Sequence, residues 1–174
     1  MKKHYIILIT MFVILAVGAL FIYNNMGGFT SPATSLQAAP NRIIVGKMYE
    51  GTVMDKKFGK LFNEIETEIK KGKIKGKLAA YYFNNPDKNK GKMKCIVGIL
   101  LEGDATKPFE PYVIVEIPER KVIRTTVKAH ISVAANVYKA AEKFAEKNNL
   151  KYSDENVLEI YPSENEFIME APIK

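Results

Sequence analysis

Cysteine and histidine are scarce in this chain. Its 174 residues include one cysteine, Cys95, and two histidines, His4 and His130. One cysteine excludes an internal disulfide, and this inventory argues against a zinc site, which needs several such ligands. No histidine is placed to activate Cys95, so we expect a small buried side chain rather than a nucleophile. The sequence predicts neither a metal nor another cofactor.

Charge is nearly absent from the first forty residues. Only Lys2 and Lys3 are charged there, and they precede the uncharged apolar run Tyr5–Tyr23. At about 1.5 Å per helical residue the run spans roughly 28 Å, close to the roughly 30 Å hydrocarbon core of a bilayer. We therefore predict a transmembrane anchor over residues 1–23. A cleaved signal peptide is the alternative, although the run exceeds the roughly 7–15 apolar residues of such signals.

Basic residues flank the apolar run on one side only. Residues 24–40 contain no lysine or arginine, whereas Lys2 and Lys3 precede the run. The positive-inside rule then favours a single-pass protein with a cytoplasmic amino terminus and an extracytoplasmic domain. Two lysines are a modest bias, and a domain facing the cytosol stays open.

Residues 24–40 are small and polar, and Gly27, Gly28, Pro32 and Pro40 interrupt them. A segment of this composition buries too little surface to offset the entropy of ordering, so we expect a flexible linker. Residues 41–174 are enough for one domain with one core.

Hydrophobic periodicity alternates regularly within that domain. The apolar spacing predicts an amphipathic helix over residues 55–71 and a second one over 133–149. Runs typical of strands surround them, at residues 42–49, 78–83, 92–101, 112–117, 121–129, 157–161 and 166–173. Two copies of strand-helix-strand-strand predict an α+β domain, with an antiparallel sheet backed by two helices.

Five short motifs stand out in this domain, namely Tyr81–Pro86, Lys94–Cys95, Val97–Leu100, Glu102–Gly103 and Leu158–Tyr161. Together they resemble the GyrI-like small-molecule-binding domains of the SOUL/GyrI superfamily. More narrowly, the chain is similar to the membrane-anchored branch, which includes bacterial proteins and an animal reticulophagy receptor. The resemblance implies a duplicated fold with a ligand groove between its halves.

The sequence departs from the family's pattern at two places, and these limit how much of the relatives' function we expect here. Lys128–His130 lacks the proline-tyrosine pattern of many relatives, and the sequence stops at Lys174, where the receptor continues into a disordered tail. We therefore do not expect the receptor's role here.

Glu159 is the first candidate for chemistry. Strand alternation places it on one face with Val157 and Tyr161, so its carboxylate is expected in an aromatic-lined space. There it could bind a cationic ligand, as the resemblance to multidrug-sensing domains implies, or act as a general base with a raised pKa. Some family members hydrolyse cyclopropane-containing toxins with a glutamate and a tyrosine. An edge glutamate facing water is the third possibility.

Tyr81, Tyr82 and Tyr161 are the remaining ligand-binding candidates. They offer flat apolar faces and hydroxyl groups to a groove, or else they simply cover the sheet. Because binding is favoured over catalysis, we predict a non-enzymatic module and assign no catalytic residue.

The net charge of +7 raises the question of nucleic acid. Lysines alternate with glutamates on the polar face of the first amphipathic helix, which is typical of a solvated surface. No nucleic-acid-binding signature is present, so no nucleic-acid partner is expected. A protein partner, with the chain acting as a membrane-bound adaptor, remains an alternative.

Overall fold

The computed structural model describes residues 2–72, 75–101 and 112–174. The motif Glu102–Gly103 therefore lies outside the described residues. Within these ranges there are three α-helices, namely α1 Lys2–Asn25, α2 Lys56–Lys70 and α3 Ala134–Lys147. The eight strands are β1 Ala33–Ala39, β2 Arg42–Thr52, β3 Gly76–Tyr82, β4 Lys92–Leu101, β5 Val113–Ile117, β6 Arg120–Val127, β7 Val157–Ser163 and β8 Glu166–Pro172.

All eight strands form one antiparallel sheet in the order β1-β6-β8-β7-β3-β4-β2-β5. Within it, β2-α2-β3-β4 and β6-α3-β7-β8 are two copies of one unit, and they meet where β7 pairs with β3. The predicted α+β class and the duplicated strand-helix-strand-strand pattern are confirmed.

The expectation of a flexible linker over residues 24–40 is wrong for Ala33–Ala39. This segment is strand β1, and each of its residues pairs with a residue of β6. Its small side chains carry no apolar alternation, but the backbone hydrogen bonds of the ladder offset the entropy of ordering it. Strand β5 pairs with β2 in the corresponding way. Strand β1, which precedes the first unit, thus pairs with the second unit, and β5, which precedes the second unit, pairs with the first.

Short connections force the sheet to curl. Only Pro40–Asn41 separate edge strand β1 from β2, and only Pro118–Glu119 separate edge strand β5 from β6, so the two ends of the sheet must approach each other. The backbone N–H of Glu119 donates to Asn41 Oδ1 at 2.6 Å, which ties the two connections together. Arg42 on β2 also reaches Glu170 on β8, four strands away in the order.

The curl gives the sheet an inner face and a helix face. The buried residues of the inner face all lie on strands: Ile44, Ala79, Tyr81, Ile96, Leu100, Ile117, Leu158, Ile160 and Ile168. On the helix face, α3 packs through Val137 and Ala141, and α2 packs through Ile65. At the close approach of β2 and β4, Gly46 lies opposite Gly98, and a Cβ on either glycine would collide with the neighbouring backbone.

The two amphipathic helices cover the sheet unequally. Helix α2 begins after Asp55, whose carboxylate accepts from the Lys57 N–H at 2.9 Å, as an N-cap does. Of its apolar stripe only Ile65 is fully buried, whereas Phe58, Phe62 and Ile69 remain partly exposed. The sheet under α2 therefore leaves room beside the helix.

The amino-terminal helix α1 is apolar, and its segment His4–Asn25 is not buried within the fold. Its segment His4–Asn25, with a mean hydropathy of 2.8, is long and apolar enough to cross a membrane. A signal sequence satisfies the same criterion.

Candidate functional site

Glu159 is buried at the centre of the helix face. It lies on β7, beside the seam between the two halves, and only 6% of its surface is exposed. Val157 and Tyr161 share its face, as the alternation predicted, because all three contact the layer beneath the helices. The alternative of an edge glutamate facing water is wrong.

Three tyrosine hydroxyls surround the Glu159 carboxylate. Tyr138, on α3, donates to Oε1 at 2.6 Å, and Tyr161 donates to Oε2. Tyr82, on the adjacent strand β3, is the third hydroxyl that hydrogen-bonds this carboxylate. Among the described residues, no lysine, arginine or histidine forms an ion pair with Glu159. Within the described part of the chain, its carboxylate oxygens are bonded by neutral donors alone.

Burial dominates the acid-base chemistry of this cluster. Loss of solvent raises the pKa of Glu159, although the hydrogen bonds from Tyr138, Tyr161 and Tyr82 oppose that shift. Burial and the nearby carboxylate raise the pKa of each of the three tyrosines as well, well above the ordinary value. The tyrosines are therefore proton donors throughout the physiological range.

Tyr81 does not join the cluster. It precedes Tyr82 on β3, so it points to the inner face, where it packs against Phe83 with ring centroids 5.1 Å apart. Its hydroxyl donates to Asn156 at 3.2 Å, and the Arg120 guanidinium lies 5.5 Å from its ring centre. The sequence candidates thus divide, because Tyr82 and Tyr161 meet at Glu159 and Tyr81 supports the inner core.

A groove of about 820 Å³ opens beside Glu159 on the helix face. Helix α2, the start of α3, and strands β3 and β7 line it, so both halves of the fold contribute. A row of rings runs along it in the order Tyr49, Phe58, Phe62, Tyr161 and Phe167, with successive centroids 5.0 to 5.6 Å apart. Of these rings, Phe58, Phe62 and Tyr161 line the groove, and successive members pack edge to face. The groove therefore offers aromatic rings next to a buried carboxylate.

Carboxylates outnumber cations around the groove. The charged lining residues are Glu66, Glu159, Glu164, Glu166, Lys70 and Lys77. Lys70 is paired with Glu66 at 2.7 Å, which neutralises both. An acidic, aromatic groove favours a ligand that is cationic and apolar, because cations are attracted both by carboxylates and by aromatic faces.

Cys95 is buried directly beneath this layer. None of its surface is exposed, and burial raises the pKa of its thiol to about 12. The prediction of a small buried side chain is confirmed. Among the described residues, no group of three His, Cys, Asp or Glu side chains is arranged to hold a metal ion.

Sequence reasoning missed Tyr138 and the rings of α2. Tyr138 lies beside Val137, outside the apolar stripe that marked α3, so its hydroxyl gave no periodic signal. Phe58 and Phe62 belong to the apolar stripe of α2, whose spacing indicates only a contact with the core, and both also line the groove. The signal available in the sequence was the apolar stripe of α2 itself, which is too aromatic and too wide for a single helix contact.

The fold recurs in known structures. No family model matches this chain, and no curated protein matches it. The C-terminal domain of EcmrR has a TM-score of 0.62 at 16% identity, covering 82% of this chain and 98% of that one. SAV2435 bound to tetraphenylphosphonium has a TM-score of 0.56 at 11% identity, covering 82% and 94%. A hydrolase from Listeria innocua has a TM-score of 0.56 at 12% identity, covering 83% and 93%. The chain shares the fold of these proteins.

Proposed function

We propose that this chain is a non-enzymatic, membrane-tethered binding module of the GyrI-like kind, whose groove takes a small lipophilic cation. The observation that carries the proposal is the Glu159 carboxylate, buried beside an open aromatic groove and held only by tyrosine hydroxyls among the described residues. Burying a charge without a counter-ion is costly, and a bound cation would supply the missing charge.

The aromatic row suits the apolar part of such a ligand. Phe58, Phe62 and Tyr161 line the groove, and cation–π attraction adds about 0.5 to 2 kcal/mol for each ring whose face a cation can reach. Tetraphenylphosphonium, the ligand of SAV2435, combines a positive charge with apolar aromatic arms, and it is a suitable first probe.

Membrane tethering by α1 is part of the proposal. The uncharged segment Tyr5–Tyr23 lies within the helix segment that is long enough to cross a bilayer. We propose an extracytoplasmic domain, in keeping with the positive-inside rule. A reporter enzyme fused after Lys174 that is active on only one side of the membrane tests the orientation, and activity on the cytoplasmic side would refute it.

Binding is tested with the full chain in detergent micelles. Titration with tetraphenylphosphonium should show saturable binding that Glu159→Gln weakens at least about tenfold, equivalent to about 1.4 kcal/mol. Tyr81→Phe is the matched control, because it removes a hydroxyl from the neighbouring inner face and should leave affinity unchanged. Equal affinity of the wild type and Glu159→Gln would refute the proposed role of the carboxylate.

A second candidate is hydrolysis, with Glu159 as general base and Tyr161 as its partner. Burial raises the pKa of Glu159 and so makes it a stronger base than an ordinary glutamate, and one protein of the same fold is a hydrolase. Turnover of a cyclopropane-containing toxin that Glu159→Gln abolishes would replace the binding proposal with this one. If no cation binds and no toxin is turned over, a protein partner becomes the leading alternative.

A further inference from the structure

The end of α1 is joined directly to the connection between β6 and α3. After Asn25 the chain turns through Met26–Phe29, and the backbone N–H of His130 donates to the carbonyl of Met26 at 3.0 Å. Gly27 lies so close to Ala129 that a Cβ on Gly27 would be 2.6 Å from the Ala129 Cβ. No free tether separates the apolar helix from the domain at this point.

The same connection forms one end of the groove. His130 and Ile131 line the groove, together with Ala134 at the start of α3. Ile131 is 40% exposed, and Phe29, in the turn after α1, is 65% exposed. Apolar side chains therefore face outward beside the end of α1. When α1 spans a bilayer, this end of the groove lies at the membrane surface.

We propose that the groove receives its ligand from the adjoining leaflet of the membrane. The ligand is an amphiphilic cation dissolved in the lipid, whose positive group reaches Glu159 while its hydrocarbon part lies against Phe58 and Phe62. A long-chain amphiphile is concentrated in the bilayer and scarce in water, so a groove fixed at the surface meets it far more often from the lipid side. This inference rests on the proposed function.

The test uses the full chain reconstituted in phosphatidylcholine vesicles. The probe is a styrylpyridinium dye with an octadecyl chain, whose fluorescence rises in an apolar site, and Glu159→Gln supplies the background signal. The dye is loaded either into the vesicles that carry the protein or into separate vesicles. Binding from the same vesicles should be faster by about tenfold or more, because the lipid acts as a locally concentrated reservoir. Equal rates from the two loadings would overturn the inference.

A pair of glycine variants tests the joint itself. Gly27→Val places a side chain against Ala129 at a residue whose φ is +77°, whereas Gly18→Ala in mid-α1 meets nothing within 4 Å. Gly27→Val should slow binding from the same vesicles several-fold, and Gly18→Ala should not. The methyl analogue of the dye, titrated in detergent micelles, should bind both variants like the wild type, which shows that the groove is intact. If Gly27→Val separates the end of α1 from Ala129 and dye still binds from the same vesicles as fast as in the wild type, the inference is refuted.

The two proposals fail in different ways. If neither dye binds the wild type in a manner that depends on Glu159, the proposed function is wrong and the inference falls with it. If Glu159-dependent binding is present but its rate is indifferent to where the dye is loaded, only supply from the membrane is refuted.

Discussion

Two buried glutamates on adjacent strands have different hydrogen-bond partners. Glu159 on β7 faces the groove, while Glu170 on β8 faces the inside of the curled sheet, with Leu158 as its strand partner. Arg42 and Arg124 both donate to Glu170 Oε1, at 2.8 and 2.6 Å. Glu159, by contrast, is bonded by tyrosines. The same residue type is thus paired with two arginines on one face and bonded by tyrosine hydroxyls on the other.

The difference separates a structural carboxylate from one available to a ligand. Glu170, 1% exposed, ties β2 and β6 to β8 and so holds the ends of the curled sheet together. Tyrosine hydroxyls can satisfy the oxygens of Glu159, but they bring no positive charge. We expect only Glu159, which has no counter-ion among the residues that the structure describes and lies next to open space, to attract a cation.

The largest expected effect is on the inner face. Glu170→Gln leaves Arg42 and Arg124 without their carboxylate, and breaking a buried pair costs about 3–5 kcal/mol. Because 20% and 28% of the two arginine side chains are exposed, water recovers part of this cost. We expect the free energy of unfolding to fall by about 2–3 kcal/mol, measured by urea denaturation of the full chain in detergent.

The control for that change is Glu116→Gln, at an exposed position on β5. A surface substitution of this kind should alter stability by no more than about 0.5 kcal/mol. Equal stability of Glu170→Gln and Glu116→Gln would show that the arginine pairs do not hold the curl.

The second-largest effect is expected from a variant that gives Glu159 an arginine partner of the kind that Glu170 has. Tyr138→Arg replaces the hydroxyl that lies 2.6 Å from Glu159 Oε1 with a guanidinium of similar reach. The groove carboxylate would then have its own cation, as Glu170 has. We expect tetraphenylphosphonium affinity to fall at least about tenfold, or 1.4 kcal/mol, in a calorimetric titration.

Tyr138→Phe is the matched control for the charge. It removes the hydroxyl without adding a cation, so it should weaken binding by much less than Tyr138→Arg. If both variants bind like the wild type, the missing counter-ion is not what attracts the ligand.

Periodic segments of this fold were predictable from sequence. The prediction of a helix over residues 55–71 corresponds to α2, Lys56–Lys70, and the predicted strand 92–101 is β4. Both have strong apolar periods that local reasoning detects. Strand β1 was missed because Ala33–Ala39 has no apolar alternation, and its partner β6 lies far along the chain.

The candidate site was predictable only where one strand carries it. Alternation along β7 placed Glu159 and Tyr161 on one face, and the structure agrees. Tyr138 comes from α3, and only the packing of that helix over β7 brings its hydroxyl to the carboxylate. Likewise Arg42 and Glu170 are 128 residues apart, and no local pattern joins them.

A smaller effect appears in the pH dependence of stability. Burial raises the pKa of Glu159, so the folded protein keeps this proton at pH values where the unfolded chain has lost it. The free energy of unfolding should therefore fall as pH rises from the ordinary glutamate value through the raised one, by at most about 1.4 kcal/mol per pH unit. Urea denaturation across that range should show the slope in the wild type, and Glu159→Gln should lack it. A slope that persists in Glu159→Gln must come from another group.

The smallest effect compares two neighbouring tyrosines on opposite faces. Tyr82→Phe removes one donor from Glu159 and should weaken tetraphenylphosphonium binding about threefold, the order of one lost hydrogen bond. Tyr81→Phe removes the bond to Asn156 and should lower the free energy of unfolding by about 0.5 kcal/mol without changing affinity. Titration and urea denaturation of both variants separate the two effects. If Tyr81→Phe weakens binding as much as Tyr82→Phe, the two faces of β3 are coupled, and the division between a structural face and a ligand face does not hold.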